Sequence, residues 1–251
     1  MSNSHLIHMA IQTEFVNITA GDGTTMRAYV ARPEAAPRAG IIVFQEIFGI
    51  NSHIRDITER FAKQGYIAIA PELFHRTAPG FETGYTEADM GEAFKQMGLA
   101  TDAGLAADIK SAHEWLAKAA NGLPIASIGY CMGGRTSTLA SMTVPLACSI
   151  SYYGGGIAPS PFNLGLLDRL REVRNPVLFF WGGLDHFILP EHVKMVTDGM
   201  RAAGKSFVSV EISDADHGFF CDQRGSYNAT AAAEAWPLTL AYLEQHTKTT
   251  A

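Results

Sequence analysis

The sequence predicts an α/β fold, a mostly parallel central sheet with helices on both faces. Three observations carry this. Continuous apolar runs recur, as at 40–44, 66–70 and 177–181, and strands buried on both faces read this way. Helical segments separate them: Leu105, Ile109, Ala112, Leu116 and Ala119 fall at i, i+4, i+7, i+11 and i+14, forming one apolar stripe. Strands and helices alternate through most of the length, which is the pattern of a parallel sheet.

The elements follow in order. Residues 13–19 alternate weakly, and 26–31 follow the turn Gly21-Asp22-Gly23, so an antiparallel hairpin opens the chain. The run 40–44 is a buried strand. Asn51 or Ser52 caps a helix to Gln64, which Gly65 ends. A second buried run, 66–70, is closed by Pro71. Residues 73–98 hold Pro79, Gly80, Gly84 and Gly91 with no clean period. This partly helical excursion is either a lid or wall over a site or a plain surface insertion. After the helix 105–119 come a strand at 124–128 and a helix at 135–142. Strands at 146–152 and 177–181 follow, then a helix at 191–203 ended by Gly204. A strand at 207–212 and a helix at 229–245 close the chain, with a kink or break expected at Pro237.

Composition bounds the rest. The 251 residues are 47 % hydrophobic and 18 % charged, which suits one globular domain over 1–251, with 1–12 as a mobile terminus. The net charge of −6 and the lack of a basic stripe argue against nucleic acid as a partner. Three widely spaced cysteines form no disulfide framework and no C-x-x-C pair, which fits a reducing cytoplasm. Neither a secretory leader nor a run long enough to span a bilayer is visible. A cytoplasmic monomer is the default expectation.

In open α/β sheets, ligands bind beyond the carboxyl ends of the strands, so residues just after each strand are the candidates. Gln45 and Glu46 follow the first buried run. Gly129-Tyr130-Cys131-Met132-Gly133 follows the strand at 124–128, with Cys131 at the apex of a strand-to-helix turn. That is the place of the nucleophile in a G-x-S-x-G elbow, and a thiol at a helix N-terminus gains nucleophilicity. Gly182-Gly183-Leu184-Asp185 and Asp214-Ala215-Asp216-His217 end two later strands. Nucleophile, acid and histidine thus occur in the chain order of α/β-hydrolases. Singly, each has a bland reading. Cys131 could be a small apolar residue like Cys148 and Cys221, and Asp185 a turn former. Their joint order favours a triad of Cys131, His217 as base and Asp185 as its orienter. The backbone N–H groups of Met132 and Ile47 are the expected oxyanion donors. Phe48, Tyr152, Tyr153 and Phe219 flank these loops and are expected to line the pocket. His5 and His8 offer i, i+3 spacing but no further ligands, and the reading calls for no metal and no cofactor.

Taken together, Gln45-Glu46-Ile47-Phe48-Gly49 with Asn51, Gly129 to Gly134, Gly182 to Phe187 and His217-Gly218-Phe219 resemble the dienelactone hydrolase family of α/β-hydrolases, from about Gly21 to Leu243. The resemblance implies an α/β-hydrolase fold and hydrolysis of a small ester or lactone through a cysteinyl acyl-enzyme. It also implies that Glu46 turns toward the thiol to help deprotonate it. One departure stands out. The family's dienelactone-acting members carry two arginines that bind the substrate carboxylate, one in the excursion and one four residues after the histidine. Here the second position is Cys221, and no arginine occurs between Phe81 and Leu123. Arg76, Arg135 and Arg224 do not match by position. The expectation is therefore a pocket without a carboxylate clamp and a preference for neutral substrates, unless Arg76 or Arg224 enters from another direction.

Overall fold

The opening hairpin forms where the Gly-Asp-Gly turn requires it. In the computed structural model, which describes residues 10–159 and 165–248, β1 (Ile11–Thr19) and β2 (Thr25–Pro33) pair antiparallel from Thr19↔Thr25 to Ile11↔Pro33. Ile11 and Gln12 are thus strand residues, while His5 and His8 lie outside the described residues. Six further strands complete one sheet: β3 (Ala39–Phe44), β4 (Tyr66–Pro71), β5 (Ile125–Tyr130), β6 (Ser149–Tyr152), β7 (Val177–Gly182) and β8 (Phe207–Ile212). Their order is β1-β2-β4-β3-β5-β6-β7-β8. Strand β4 pairs antiparallel with β2, and the pairs from β4 to β8 are parallel. Every residue of β3, β4, β5 and β7 is buried, which is why these segments read as unbroken apolar runs.

The helices are α1 (Ser52–Lys63), α2 (Glu87–Leu99), α3 (Asp102–Ala119), α4 (Met132–Thr143), α5 (Pro190–Ala202) and α6 (Ala229–Thr247). Asn51 caps α1, its side-chain oxygen accepting the Ile54 N–H at 3.3 Å. The α3 stripe buries Leu105, Ile109, Ala112 and Leu116. Helix α4 joins α3 through the paired bonds from Arg135 to the Asp102 carboxylate at 2.7 and 3.1 Å. Helices α1 and α6 meet at Phe61 and Trp236, with ring centroids 5.1 Å apart. The break expected at Pro237 does not occur, for α6 runs through it. Side chains on either side hold the helix to the body: Trp236 packs on Phe61, and Thr239 bonds the Tyr152 hydroxyl at 2.6 Å.

The sheet's direction of growth reverses at β3, which has β4 on one side and β5 on the other. Such a switch point opens a crevice at the carboxyl ends of its strands. Glu46 and Cys131 lie at that end, just beyond β3 and β5.

Candidate active site

The turn at Cys131 is built from backbone contacts that exclude side chains. Cys131 takes φ 55° and ψ −120°, a conformation L-residues seldom hold outside functional sites. A Cβ on Gly129 would collide with the Gly133 carbonyl, and one on Gly133 with the carbonyls of Phe44 and Gln45. Both flanks must therefore be glycine. The second contact seats the elbow directly on the end of β3. Met132 opens α4, so its N–H has no intrahelical acceptor, and Ile47 lies in the turn beyond β3. Replacing Gly133 with alanine is expected to lower Tm by more than 10 °C, or to prevent soluble expression, because backbone rather than a flexible side chain blocks the new methyl.

Asp185 and His217 meet because the loops after β7 and β8 pack backbone to backbone. A Cβ on Gly182 would strike the Ala215 carbonyl, and one on Gly183 the Ser213 carbonyl. The Asp185 carboxylate is fixed at both oxygens. Oδ1 accepts the N–H groups of Phe187 and Ile188 at 2.8 and 3.0 Å, and Oδ2 lies 2.8 Å from Nδ1 of His217. Asp216 instead accepts the His217 backbone N–H at 2.6 Å, and the Asp214 carbonyl accepts from Asn228. His186 is exposed. The His217 ring packs between Tyr153 and Phe187, each 5.2 Å away centroid to centroid. Burial alone would lower its pKa. Hydrogen bonding and charge from the Cys131 sulfur, together with the Asp185 carboxylate, outweigh burial and push it up to about 10. His217 is thus bonded to Asp185, and the charge of the Cys131 sulfur acts on the same ring.

Glu46 is buried at 1 % exposure, and its Oε1 accepts from Nη1 of Arg224 at 3.1 Å. The guanidinium lies over Phe48 and Tyr85, 5.5 and 5.9 Å from their ring centroids. Arg224 also feels the charge of Cys131, and its pKa is raised despite burial, with Glu46 the leading favourable partner. The expectation of a pocket without a carboxylate clamp carried the exception that Arg224 enters from another direction, and the guanidinium does lie against Glu46. Arg76 does not contribute, being bound to Asp22 and Asp108 at 2.6 and 2.8 Å. Arg224 enters because residues 218–228 coil through successive turns, Cys221 N–H to the Gly218 carbonyl and Arg224 N–H to the Cys221 carbonyl, at 2.9 and 3.1 Å. Gly218 leaves room for it, since a Cβ there would strike the guanidinium.

Two expected wall residues are core residues instead. Tyr152 is fully buried, its hydroxyl bonds Thr239 and its ring packs on Tyr130 and Phe180. Phe219 is equally buried between Tyr152 and Tyr153. Tyr152 is the last residue of β6 and Phe219 lies in the loop beyond β8, and both turn their rings into the core. Phe48 and Tyr153 do touch it, through Arg224 and His217. The excursion at 73–98 is pinned above β3. Thr83 N–H donates to the Phe48 carbonyl at 3.1 Å, Gly49 bridges Glu82, and Tyr85 stands edge-on against Phe48 at 4.7 Å. A cleft lined by Asn51, Ser52, Glu82, Thr83, Gly84, Tyr85 and Gln223 opens beside it.

The sequence model of the dienelactone hydrolase family matches residues 26–247. The chain belongs to this family. It is a hydrolase with the α/β-hydrolase fold. Among its relatives is a Synechocystis sp. protein, provisionally named a carboxymethylenebutenolidase, 36 % identical over 238 residues, or 90 % of this chain and 94 % of the relative. The carboxymethylenebutenolidase of Pseudomonas putida is 32 % identical over 228 residues, covering 89 % of this chain and 92 % of its own. A crystal structure from Klebsiella pneumoniae, provisionally named a dienelactone hydrolase, superposes with a TM-score of 0.85 at 32 % identity, over 94 % of this chain and 99 % of that one. Among the described residues, no helix is long and apolar enough to cross a membrane.

Within this member of the dienelactone hydrolase family, sequence reasoning named Arg224 only as an exception and did not name Tyr85, over which its guanidinium lies. Arg224 stands seven residues after His217, where the family pattern directs attention to the fourth. The signal that could have found it is the pair Gly218 and Gly225 bracketing a compact series of turns.

Proposed function

We propose that this protein hydrolyses a small ester or lactone through an acyl-enzyme on Cys131. The 2.8 Å bond between Asp185 and Nδ1 of His217 and the left-handed Cys131 elbow at the carboxyl end of β5 carry the reading, and the charges of the sulfur and the carboxylate raise the imidazole pKa. The thiolate attacks the carbonyl carbon, and the oxyanion that forms takes the N–H groups of Met132 and Ile47. His217 gives its proton to the departing alkoxide, which in a lactone stays tethered to the acyl group. A water molecule, deprotonated by His217, then attacks the thioester carbon; the C–S bond breaks, the carboxylic acid product leaves, and the thiolate–imidazolium pair is restored.

Glu46 and Arg224 set the substrate class. An arginine at the edge of the site, with one arm on Glu46, suits a substrate bearing a carboxylate near the scissile bond. As that carboxylate takes the guanidinium, Glu46 is released toward Cys131, where it accepts the proton of any sulfur still in the thiol form and so completes the thiolate–imidazolium pair. Glu46→Gln is then expected to slow acylation with little change in the Kd of a non-reactive analogue, measured by single-turnover kinetics and calorimetry.

The substrate test compares a carboxylate-bearing lactone with its neutral methyl ester. The acid is expected to have the higher kcat/KM. Arg224→Met should lower its kcat/KM roughly 30-fold or more, as loss of one partner from a desolvated charge pair does. The neutral ester should change little, and Arg224→Lys should recover part of the loss. A preference for the neutral ester that survives Arg224→Met would return the specificity to the unclamped pocket expected from sequence.

A further inference from the structure

Beneath the reaction centre, side chains from three distant parts of the chain converge. Glu46 follows β3, His53 sits in the first turn of α1, and Cys221 lies in the loop 218–228. One ligand-capable atom of each lies within 4.8 Å of the other two. All three residues are buried, at 1 %, 1 % and 0 % exposure. Neither ring nitrogen of His53 has a hydrogen-bond partner, and neither has Oε2 of Glu46. The Cys221 thiol donates to the Tyr85 hydroxyl at 3.3 Å. Buried polar atoms without partners are unfavourable, and three of them belong to the residues of this cluster.

We propose that Glu46, His53 and Cys221 form a binding site for a divalent d-block cation of the Zn2+ type, and that its occupancy switches the hydrolase off by fixing Glu46. The donor set supports that class. One imidazole nitrogen, one thiolate and one carboxylate oxygen suit a borderline-soft tetrahedral ion, whereas Ca2+ and Mg2+ take oxygen ligands. Zinc bonds of about 2.0–2.3 Å hold tetrahedral ligand atoms roughly 3.3–3.8 Å apart. Side-chain movements of about 1 Å would close the triangle to that size. On binding, Cys221 releases its thiol proton to solvent while the neutral imidazole and the carboxylate release none. Two anionic ligands then balance the ion's charge, and Oε1 of Glu46 keeps its bond to Arg224. The fourth position is left to water or to the Tyr85 hydroxyl. The switching rests on the role proposed above for Glu46, but the binding does not.

The test uses the full chain, freed of metal by chelation and titrated with Co2+, whose thiolate ligands give an intense near-ultraviolet charge-transfer band. The expected result is one ion per chain, with the band present in wild type and in Cys131→Ala and lost in Cys221→Ser. His53→Gln should weaken binding by more than the roughly 10–100-fold that an outer-shell change costs. Zn2+ should inhibit ester turnover by wild type and spare Cys221→Ser, whose basal rate and thermal unfolding should match wild type. A band kept in Cys221→Ser but lost in Cys131→Ala would put the metal on the nucleophile and overturn the site. No stoichiometric binding in wild type would overturn it too. Stoichiometric binding at Cys221 without inhibition would overturn the switch. If Cys131→Ala were fully active, the hydrolytic reading would fall while the Co2+ spectrum still decided the site.

Discussion

Cys131→Ala is expected to cut kcat by roughly 10^4–10^6-fold, the scale on which loss of a nucleophile acts when its partners remain. The fold should not change. Alanine meets the same demands at φ 55° as cysteine, and the side chain is only partly buried, so the thiol opens no core cavity when removed. Circular dichroism and Tm are therefore the controls. With wild type and a slow ester, mass spectrometry should find one acyl group, on the peptide carrying Cys131. Iodoacetamide should label that peptide before those of Cys148 and Cys221. Burial pushes the Cys148 thiol up to about 12, and burial with the Glu46 charge pushes Cys221 up to about 11, so both stay protonated and unreactive at neutral pH. Substantial turnover by the alkylated protein would end the acyl-cysteine mechanism.

Asp185→Asn is expected to cost about 10^3–10^4-fold in kcat, since an amide can hold the wrong imidazole tautomer and cannot stabilise the imidazolium. The double variant with His217→Ala should be scarcely worse than His217→Ala alone, because groups that act as a unit are not additive. The pH profile gives an independent reading. His217 in the folded protein has its pKa raised to about 10. The imidazolium that protonates the leaving group is thus present below that value and disappears above it. The alkaline limb of kcat/KM should fall near pH 10 instead of near 6.5. In Asp185→Asn one of the charges that hold the proton is gone, so that limb should move down in pH. Multiplicative losses with an unmoved limb would make Asp185 a turn residue only.

The order of elements was readable because burial on both faces leaves a mark that composition alone carries. Runs such as Ile41-Ile42-Val43-Phe44 admit no exposed face, and every one of them is buried. The positions of Cys131, Asp185 and His217 were readable because each lies beside a glycine whose missing side chain leaves space that backbone, or for Gly218 the Arg224 guanidinium, occupies. Arg224 was harder to see. Where its guanidinium goes depends on four linked turns and on space left by Gly218, and neither has a period. Tyr152 and Phe219 were misread for a related reason. A strand end shows which residues are near a crevice but not which way they face, and Thr239, 87 residues away, sets the direction of Tyr152. The convergence of Glu46, His53 and Cys221 spans 175 positions and left no spacing to notice.

The loop 218–228 is fastened to the amino-terminal half by Glu46–Arg224, Ser52–Gln223 and Arg60–Asp222. On the proposed mechanism, turnover is consequently expected only once this loop has closed onto the amino-terminal half. A nascent polypeptide that has not yet reached residue 218, or a fragment nicked in the excursion and separated, carries a thiol without its cationic neighbour. Catalytic output therefore reports how much of a population has folded to the end, and a hydrolysis assay on refolding protein should lag behind the recovery of helical signal.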